Sequence, residues 1–282
     1  MCAAPYTPGF EVGECLYRSP RTLVYRAMRL HDGAPVVLKC PNIEFPGPQE
    51  VARITLEAQI LARFDSDAIV RTHGVVPSGG SLALVLEDFG ATSVQQWLDR
   101  QVALIDIGVA LQLAISVAKA LAQVHARGLV HRDVKPDNIL VDATFQRVVL
   151  ADFSHYMCRE EAPAGAMLAG TLAYISPEQT GQMNRAVDYR SDYYSLGVTL
   201  YALLTGTLPF TDSEPIELVH AHLARDPLPL DSPAPGRRVV PTPLSHVVLK
   251  LMSKSAEDRY QSAHGLVADL RRCREDPFPR AP

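Results

Sequence analysis

Three residues on one short polar stretch could together carry out chemistry on a phosphate group. Asp133, Lys135 and Asn138 lie within LVHRDVKPDNILVD, between two apolar runs that are typical of strands. The carboxylate could accept a proton from a hydroxyl, the ammonium could neutralise a phosphate, and the amide oxygen could hold a metal ion. The spacing H-R-D-x-K-x-x-N therefore predicts a loop that supports phosphoryl transfer.

A second pair of charged residues lies earlier in the chain. Lys39 ends the apolar run VVLK, where an ammonium can project into a cleft. Glu57 lies in a helix predicted from about residue 49 to 64, and from there it could reach Lys39. Taken alone, Lys39 is more often a solvated residue at a strand end, and Glu57 is more often a surface charge.

The order of predicted elements divides the chain into a β-rich first part and a mostly helical second part. Alternating apolar residues with turn signals predict strands, whereas apolar spacings of three and four predict helices. Strands are expected at 10–17, 22–30, 36–39, 69–76, 82–86 and 148–150, and later helices at 105–127, 190–205, 214–224, 244–253 and 263–273. The polar stretch 87–90 is the expected hinge between the two parts.

Composition and charge exclude several classes of protein. The 282 residues suffice for one large domain or for two lobes that share a cleft, and the net charge of -4 disfavours a nucleic-acid partner. The five cysteines have no paired short spacing, which disfavours a zinc site or disulfides and favours the cytoplasm. We find no secretory signal, and the apolar stretch 107–118 is too short for a membrane span, so we expect a buried helix there.

Several motifs occur in the order found in one enzyme family. They are VVLK, HRDVKPDN, the pair Asp152-Phe153, the triplet Ser176-Pro177-Glu178, SDYYSLGVTLYALLTG and EDRYQSA. With these motifs the chain resembles the eukaryotic-type Ser/Thr protein kinases over almost its whole length. The segments SPRTLVYRA, VLEDFG, ADFSHY and ELVHAHLA are similar to the N-terminal kinase domain of large bacterial signalling proteins. Those proteins continue into an AAA-type ATPase, sensor domains and a histidine kinase.

The resemblance implies an α+β, bilobal protein-kinase fold. A small antiparallel β-sheet N-lobe would span residues 10–87, and a mostly helical C-lobe would span residues 91–272. Residues 1–9 would form a flexible tail, and residues 273–282 a second tail or the start of a linker. ATPase and histidine-kinase modules, attached or as partners, are implied by the closer resemblance.

The resemblance also implies a role for each charged residue. Lys39 would contact the α and β phosphates of ATP and pair with Glu57. Asp133 would be the catalytic base, and Lys135 would lie against the γ-phosphate. The hydroxyl of Thr171 would contact both of them, a feature of kinases that prefer Ser and Thr.

The remaining site residues would bind the metal and the nucleotide. Asn138 and Asp152 would hold Mg²⁺, which prefers oxygen ligands. The adenine would lie among four apolar side chains and the hinge backbone, namely Leu16, Val24, Val37 and Leu140 with Glu87 to Phe89. For the apolar residues, ordinary core packing fits the sequence equally well. Two further groups are expected to be structural: a buried ion pair of Arg259 with Glu178, and Asp192 as the residue that holds the catalytic loop.

The expected phosphate-covering loop contains no glycine. Tyr17, Ser19 and Thr22 stand where the family has the three glycines of G-x-G-x-x-G. Glycine lets backbone N–H groups approach phosphates closely, so we expect the side chains here to hold the loop further away. Arg18 and Arg21 could compensate through direct phosphate contacts, although solvated charges are the commoner case.

A second departure is Asp152-Phe153-Ser154, which has serine where the family has glycine. We expect less backbone flipping but retained Mg²⁺ binding. Between Asp152 and Gly170 the only hydroxyl side chains belong to Ser154 and Tyr156, so Arg132 has no phosphothreonine to bind. We therefore expect activity to be switched by another domain or partner.

The resemblance thus predicts an ATP- and Mg²⁺-dependent kinase that phosphorylates protein Ser and Thr hydroxyls in bacterial signalling. The retained Lys39, Asp133 and Asn138 favour this enzyme. The missing glycines favour the alternative, an ATP-binding pseudokinase with a regulatory or scaffolding role. A small-molecule kinase is disfavoured by Thr171 and the triplet at 176–178, which shape a peptide-docking loop.

Overall fold

The protein is described by a computed structural model over residues 5–43, 47–101, 103–154, 157–158, 172–233 and 238–276. These residues form two compact units, and the first ends at Ala91 while the second begins at Thr92. The α+β composition predicted from the sequence is confirmed, because the first unit contains the main sheet and the second contains most helices.

The first unit is built on a five-stranded antiparallel sheet with strand order β1-β2-β3-β5-β4. Its elements are β1 (Phe10–Arg18), β2 (Thr22–Arg29), β3 (Pro35–Pro41), helix α1 (Pro48–Leu61), β4 (Thr72–Ser78) and β5 (Ser81–Glu87). Alternate residues of β2 and β3 are buried, as a sheet with one covered face requires. That face forms a core with Val36, Leu38 and Val85 at its centre. Helix α1 packs against β4 and β5.

The second unit is built around one long buried helix. Its helices are α2 (Val94–Leu98), α3 (Ile107–Ala126), α4 (Arg190–Thr205), α5 (Pro215–Ala224), α6 (Thr242–Leu251) and α7 (Ala263–Glu275). Short strands complete it: β6 (Thr92–Ser93), β7 (Leu129–Val130), β8 (Ile139–Val141), β9 (Val148–Leu150) and β10 (Met157–Cys158). Helix α3 contacts α4, α7 and β9, which makes it the central element of the unit.

Local residues define both ends of α3. The Asp106 carboxylate accepts hydrogen bonds from the backbone N–H groups of Gly108 and Val109, at 2.8 and 3.2 Å, and so caps the first turn. Gly128, with a φ of +71°, follows the last turn. Among the described residues, α3 is the one helix long and apolar enough to cross a membrane, but ten of its residues are buried within the protein. The predicted buried helix is thus confirmed, although it is longer than the apolar stretch 107–118.

Residues 5–9, which belong to the expected flexible tail at 1–9, contact two hairpins of the first unit. Thr7 is buried, and its hydroxyl lies 2.7 Å from that of Ser78 at the end of β4. The backbone N–H of Gly79 donates to the carbonyl of Tyr6, and that of Leu30 donates to Gly9. Residues 5–9 thus contact distant hairpins, and the domain boundaries drawn from the sequence stay a prediction.

Two other boundaries also differ from prediction. Helix α7 continues to Glu275, so the expected domain end at residue 272 falls inside a helix. The strand expected at 69–76 begins only at Thr72, because Ile69 and Val70 are buried outside the ladder. Apolar character marks burial in both strands and irregular segments, and periodicity alone does not separate them.

Candidate active site

The loop between β7 and β8 holds a buried carboxylate in a fixed position. Asp133 is 3% exposed, and Lys135 Nζ donates to its Oδ1 at 3.0 Å and its Oδ2 at 2.8 Å. Asn138 Nδ2 donates to Oδ2 and to the main-chain carbonyl of Asp133, both at 2.8 Å. Charge-assisted hydrogen bonds of this kind hold a buried carboxylate in one orientation.

The β8–β9 ladder brings two oxygen donors to one end of a small sheet. Asn138 directly precedes β8, and Asp152 follows β9 by one residue. Ile139 pairs with Leu150, and the N–H of Ala151 donates to the carbonyl of Asn138 at 2.9 Å. Because Asn138 uses its Nδ2 for both bonds to Asp133, its side-chain oxygen is left as an acceptor.

This donor set fits Mg²⁺. A carboxylate and an amide oxygen are hard ligands, and Mg²⁺ is usually held by one or two such side chains together with substrate phosphates. The described residues contain no cluster of three or more His, Cys, Asp and Glu side chains suited to a metal ion. A pair of oxygen ligands such as Asn138 and Asp152 suits an ion whose other ligands are phosphate oxygens and water.

Asp152 adopts a backbone conformation that is rare for a residue with a side chain. Its φ is +61°, in the left-handed region. The hydroxyl of Ser154 donates to Asp152 Oδ1 at 2.6 Å, and the Ser154 N–H donates to the same oxygen at 3.2 Å. Among the described non-glycine residues, φ is positive at 132, 145 and 152. Ser154 is not one of them, so its backbone does not adopt the left-handed conformation that favours glycine.

The catalytic loop is attached to helix α4 through one buried carboxylate. Asp192 accepts from the backbone N–H groups of His131 and Arg132, at 2.9 and 2.7 Å, and its Oδ2 lies 2.7 Å from His125 Nε2. Burial alone would raise the pKa of Asp192, but the hydrogen bonds from His125 and from the backbone N–H of His131 lower it. The ionised Asp192 thus orients the loop, as its expected structural role requires.

His131 connects the catalytic loop to the segment that carries Asp152. Its Nε2 donates to the carbonyl of Ala151 at 3.0 Å, and its Nδ1 accepts from the N–H of Asp133 at 3.3 Å. These two bonds define a neutral imidazole, and burial lowers the pKa of His131 accordingly. The ring also packs edge-on against Phe153, with ring centres 4.7 Å apart.

The expected ion pair of Arg259 with Glu178 is confirmed. The guanidinium donates to both carboxylate oxygens at 2.6 and 2.9 Å, and both residues are buried. The hydroxyl of Ser191 donates to Glu178 at 2.6 Å. Burial would raise the pKa of Glu178, but the bonds from Arg259 and its charge lower it.

In the first unit, Lys39 and Glu57 form an ion pair. Lys39 Nζ lies 2.8 Å from Oε1 and 2.9 Å from Oε2 of Glu57, which is on the buried face of α1. The sequence analysis noted that each residue alone is more often a surface charge. The structure instead joins β3 to α1 through this pair, and a lysine–glutamate pair of this kind positions nucleotide phosphates in protein kinases.

Residues 20–269 match the family described as the protein kinase domain. The chain belongs to this family. Relatives include the serine/threonine-protein kinase PknB of Mycobacterium tuberculosis, 34% identical over 97% of this chain and 44% of its own length. A probable serine/threonine-protein kinase of Clostridium perfringens is 30% identical, over 95% of this chain and 38% of its own length. PknL of Mycobacterium bovis is 33% identical, over 90% of this chain and 62% of its own length. The chain thus spans less than two thirds of each of these relatives.

Three of the predicted nucleotide-binding residues of this kinase domain share one face of the main sheet. Val24 is the cross-strand partner of Lys39, and Val37 lies two residues before Lys39 on the same strand. All three are half-buried, whereas their strand neighbours face the core. Leu16 is also half-buried, at an irregularity in the β1–β2 register. Such partly covered apolar residues suit contact with a flat ligand.

The other predicted nucleotide-binding residues lie in the hinge and in the second unit. Glu87 ends β5, and its Oε1 accepts from the N–H of Arg71 at 3.1 Å. Phe89, two residues after Glu87, is half-buried. Leu140 is a half-buried residue of β8 in the second unit. Thr171 lies outside the described residues, so its predicted role stays a prediction.

The sequence analysis missed a charged residue in the hinge. The Asp88 carboxylate accepts from Arg26 Nε of β2 at 2.7 Å, and its other oxygen accepts from the N–H of Gly90 at 2.8 Å. Only 5% of the Asp88 side chain is exposed. The bond with Arg26 attaches the hinge to the sheet. No local sequence pattern predicts it, because 62 residues separate the two partners.

Proposed function

We propose that this protein kinase domain transfers the γ-phosphoryl group of ATP to Ser and Thr hydroxyls of proteins. The observation that carries the proposal is the buried Asp133 carboxylate, bound by Lys135 and Asn138 on its own loop. Phosphoryl transfer requires mainly positioning and charge stabilisation, and the residues of this loop are suited to supply both.

The hydrogen bonds of Asp133 distinguish its two oxygens. Within the described part of the chain, Oδ2 accepts from both Lys135 and Asn138, whereas Oδ1 accepts from Lys135. Oδ1 is therefore the oxygen with more capacity to accept the proton of a substrate hydroxyl. Lys135, whose ammonium spans both oxygens, can stabilise negative charge on the transferred phosphoryl group.

Lys39 and Asn138 with Asp152 would hold the nucleotide and its metal. The ion pair with the buried Glu57 holds the side chain of Lys39 in position, and from there it would contact the α and β phosphates. Asn138 and Asp152 would hold Mg²⁺, which when bound neutralises charge on the phosphates. Leu16, Val24, Val37 and Leu140 would enclose the adenine, with hinge contacts from Glu87 and Phe89.

The preference for Ser and Thr acceptors is supported by two observations. The relatives quoted above are named serine/threonine-protein kinases. Lys135 and Thr171 also match the residues that accompany this preference in the family. The hydroxyl of a tyrosine acceptor lies further from the peptide backbone than that of serine or threonine. It would therefore not suit this combination of residues.

We also infer the setting in which the domain acts. The similarity of the segments SPRTLVYRA, VLEDFG and ADFSHY to the first domain of large bacterial signalling proteins supports ATPase and histidine-kinase modules as neighbours or partners. Among the described residues, Cys15, Cys40 and Cys273 are free thiols, which supports the cytoplasm as its compartment. Co-purification of the tagged chain with such modules from its own cells would test this setting.

Transfer of labelled phosphate from ATP to a generic basic protein tests the proposed activity. We expect Asp133→Asn to lower incorporation by about 10²- to 10⁴-fold, the usual contribution of a general base. Lys39→Met should also abolish most transfer because the phosphates lose their cation. Matched controls are Asp65→Asn and Lys119→Met, which change exposed side chains and should retain activity.

Two outcomes would contradict the proposal. Equal incorporation by the unaltered chain, Asp133→Asn and Lys39→Met would show that the label is not transferred by this site. ATP binding without transfer by the unaltered chain would instead support the ATP-binding pseudokinase. Analysis of the labelled amino acids separates Ser and Thr acceptors from Tyr.

A further inference from the structure

The turn between β1 and β2 has no backbone N–H group left to offer a ligand. The N–H of Ser19 donates to the carbonyl of Thr22 at 2.8 Å. Pro20 has no N–H. The N–H groups of Arg21 and Thr22 both donate to the hydroxyl oxygen of Ser19, at 3.3 and 2.9 Å. Each backbone N–H group of the turn at 19–22 thus donates a hydrogen bond to an acceptor within the turn.

Asn42, one residue beyond β3, also donates hydrogen bonds to this turn. Its side-chain Nδ2 donates to the carbonyl of Ser19 at 2.6 Å. Its backbone N–H donates to the carbonyl of Arg21 at 2.9 Å. Two carbonyl groups of the turn are therefore tied to the end of the neighbouring strand, and the turn is held at both its donors and its acceptors.

This arrangement is the opposite of what a phosphate-binding loop requires. Glycine-rich loops hold phosphates with backbone N–H groups that point at the ligand. Here each N–H would have to give up an existing bond first, and Pro20 restricts the backbone further. A Ser19 hydroxyl that accepts two N–H groups takes the place that a phosphate oxygen occupies in such loops.

We infer that Ser19 and Asn42 keep this turn closed, so that it gives the triphosphate of a bound nucleotide no backbone donor. The inference rests on the proposed function, because it concerns the nucleotide of that site. Both residues then determine specificity: they lower the preference for ATP over adenosine, and the phosphates depend on side chains such as Lys39.

Calorimetric titration of the unaltered chain and its variants with MgATP and with adenosine tests this inference. Ser19→Ala frees the N–H groups of Arg21 and Thr22, so we expect MgATP to bind about three- to tenfold more tightly, the effect of one or two net hydrogen bonds. Adenosine, which has no phosphate, should bind as before. Asn42→Ala should shift the ratio in the same direction and by less, because one backbone bond remains.

Two control variants make the result specific. Ser19→Thr keeps the hydroxyl and should keep the original ratio of affinities. Asp32→Ala removes the side chain that caps Ala34 in the β2–β3 turn of the same sheet, so it should leave the ratio unchanged. Hydrogen exchange should show faster exchange at Arg21 and Thr22 in Ser19→Ala than in the unaltered chain.

The outcomes separate the inference from the proposed function. Unchanged or weaker MgATP binding relative to adenosine in Ser19→Ala, with the two amides exchanging faster, overturns the inference and leaves the kinase proposal standing. Amides that stay protected show that Ser19 does not hold the turn and also overturn it. Failure of the unaltered chain to bind either compound overturns both.

Discussion

At the scale of single residues, Ser154 changes the surroundings of the expected metal ligand. Its hydroxyl donates to Asp152 Oδ1 at 2.6 Å, where the family has a glycine without a side chain. The bond restricts rotation of the carboxylate, and the Ser154 N–H donates to the same oxygen at 3.2 Å. Partners of this kind orient metal ligands and influence metal affinity.

We expect Ser154→Ala to weaken Mg²⁺ binding by about tenfold, because the carboxylate loses the shorter of its two hydrogen bonds from Ser154. Titration of Mg²⁺ into the chain with saturating ADP, followed by calorimetry, measures the change. Ser255→Ala is a matched control, because Ser255 makes the same kind of bond to Glu257, two residues away on an exposed segment. An unchanged Mg²⁺ affinity in Ser154→Ala would assign the hydroxyl no part in holding the metal.

A second residue of interest is His222, on the buried side of α5. Its Nδ1 lies 3.0 Å from the hydroxyl of Tyr194, and its ring lies edge-on to Phe210. Burial, followed by the charge of Lys254, lowers the pKa of His222 to about 4. The imidazole is therefore neutral in the folded protein, whereas it titrates near its usual value of 6.5 when unfolded.

This difference predicts loss of stability in acid. Because the unfolded state binds the proton more readily, the contribution of His222 is complete above pH 6.5 and is lost as the pH falls towards 4. Between pH 7 and pH 5 we expect it to remove about 2 kcal/mol from the free energy of unfolding. His222→Gln should lose that much less over this interval in urea titrations. His220→Gln, on the exposed side of the same helix, should behave like the unaltered chain, and equal slopes for all three would refute the prediction.

At the scale of elements, one buried ion pair connects separate segments of the second unit. Arg259 binds Glu178 of the turn at 177–180, and it also donates to the carbonyls of Arg190, Ser253 and Lys254. Its guanidinium therefore joins the start of α4 to the loop between α6 and α7. Loss of one partner would leave the other charge buried without compensation.

We expect Arg259→Met to lower the free energy of unfolding by about 3–5 kcal/mol, because Glu178 would then be buried without its cation. Urea denaturation followed by circular dichroism measures the loss. Arg225→Met serves as control: Arg225 pairs with Asp212 at the surface, so its loss should cost less than about 1 kcal/mol. Similar losses in the two variants would mean that burial adds nothing to the Arg259 pair.

Close packing of α4 against α6 depends on a glycine in the middle of α4. Gly197 lies in the middle of this helix, where glycine is unfavourable by about 1 kcal/mol relative to alanine. A Cβ built at this position would lie 2.7 Å from Leu251 Cβ and 2.9 Å from Met252 Cγ. The glycine is therefore required by the close approach of α6, a contact that the helical pattern of the sequence does not show.

At the scale of the whole molecule, regulation is expected to come from outside the segment that follows Asp152. Between Phe153 and Gly170 the hydroxyl side chains belong to Ser154 and Tyr156 alone. A segment without serine or threonine beyond these positions offers few sites for activating phosphorylation. A change of activity would then require a neighbouring module or a partner that contacts the domain.

We therefore expect phosphatase treatment to leave the kinase activity unchanged within about twofold, because no loop phosphate supports the active state. Mass spectrometry of the treated and untreated chains establishes whether residues 155–169 carry phosphate. Tyr156→Phe should be as active as the unaltered chain. Activity that is lost with a phosphate in this segment would show that the loop is the switch.

How much of this could be predicted depends on how far apart the partners lie in sequence. Asp133, Lys135 and Asn138 lie within six residues, so covalent geometry alone brings them onto one loop. The α+β architecture and most elements follow from apolar periodicity, which is also local. The pairing of Lys39 with Glu57 was predictable only through the family resemblance, because each residue alone fits a surface position.

Tertiary structure decided what distant segments do to these local motifs. The sequence shows a turn without glycine, but only the fold reveals that Ser19 occupies its N–H groups and that Asn42 fastens it. Likewise, the anchoring of the catalytic loop by Asp192 and the order of Thr7 depend on partners about 60 and 71 residues away. Burial and hydrogen bonding across such separations are properties of the packed chain, because they exist only after the elements have come together.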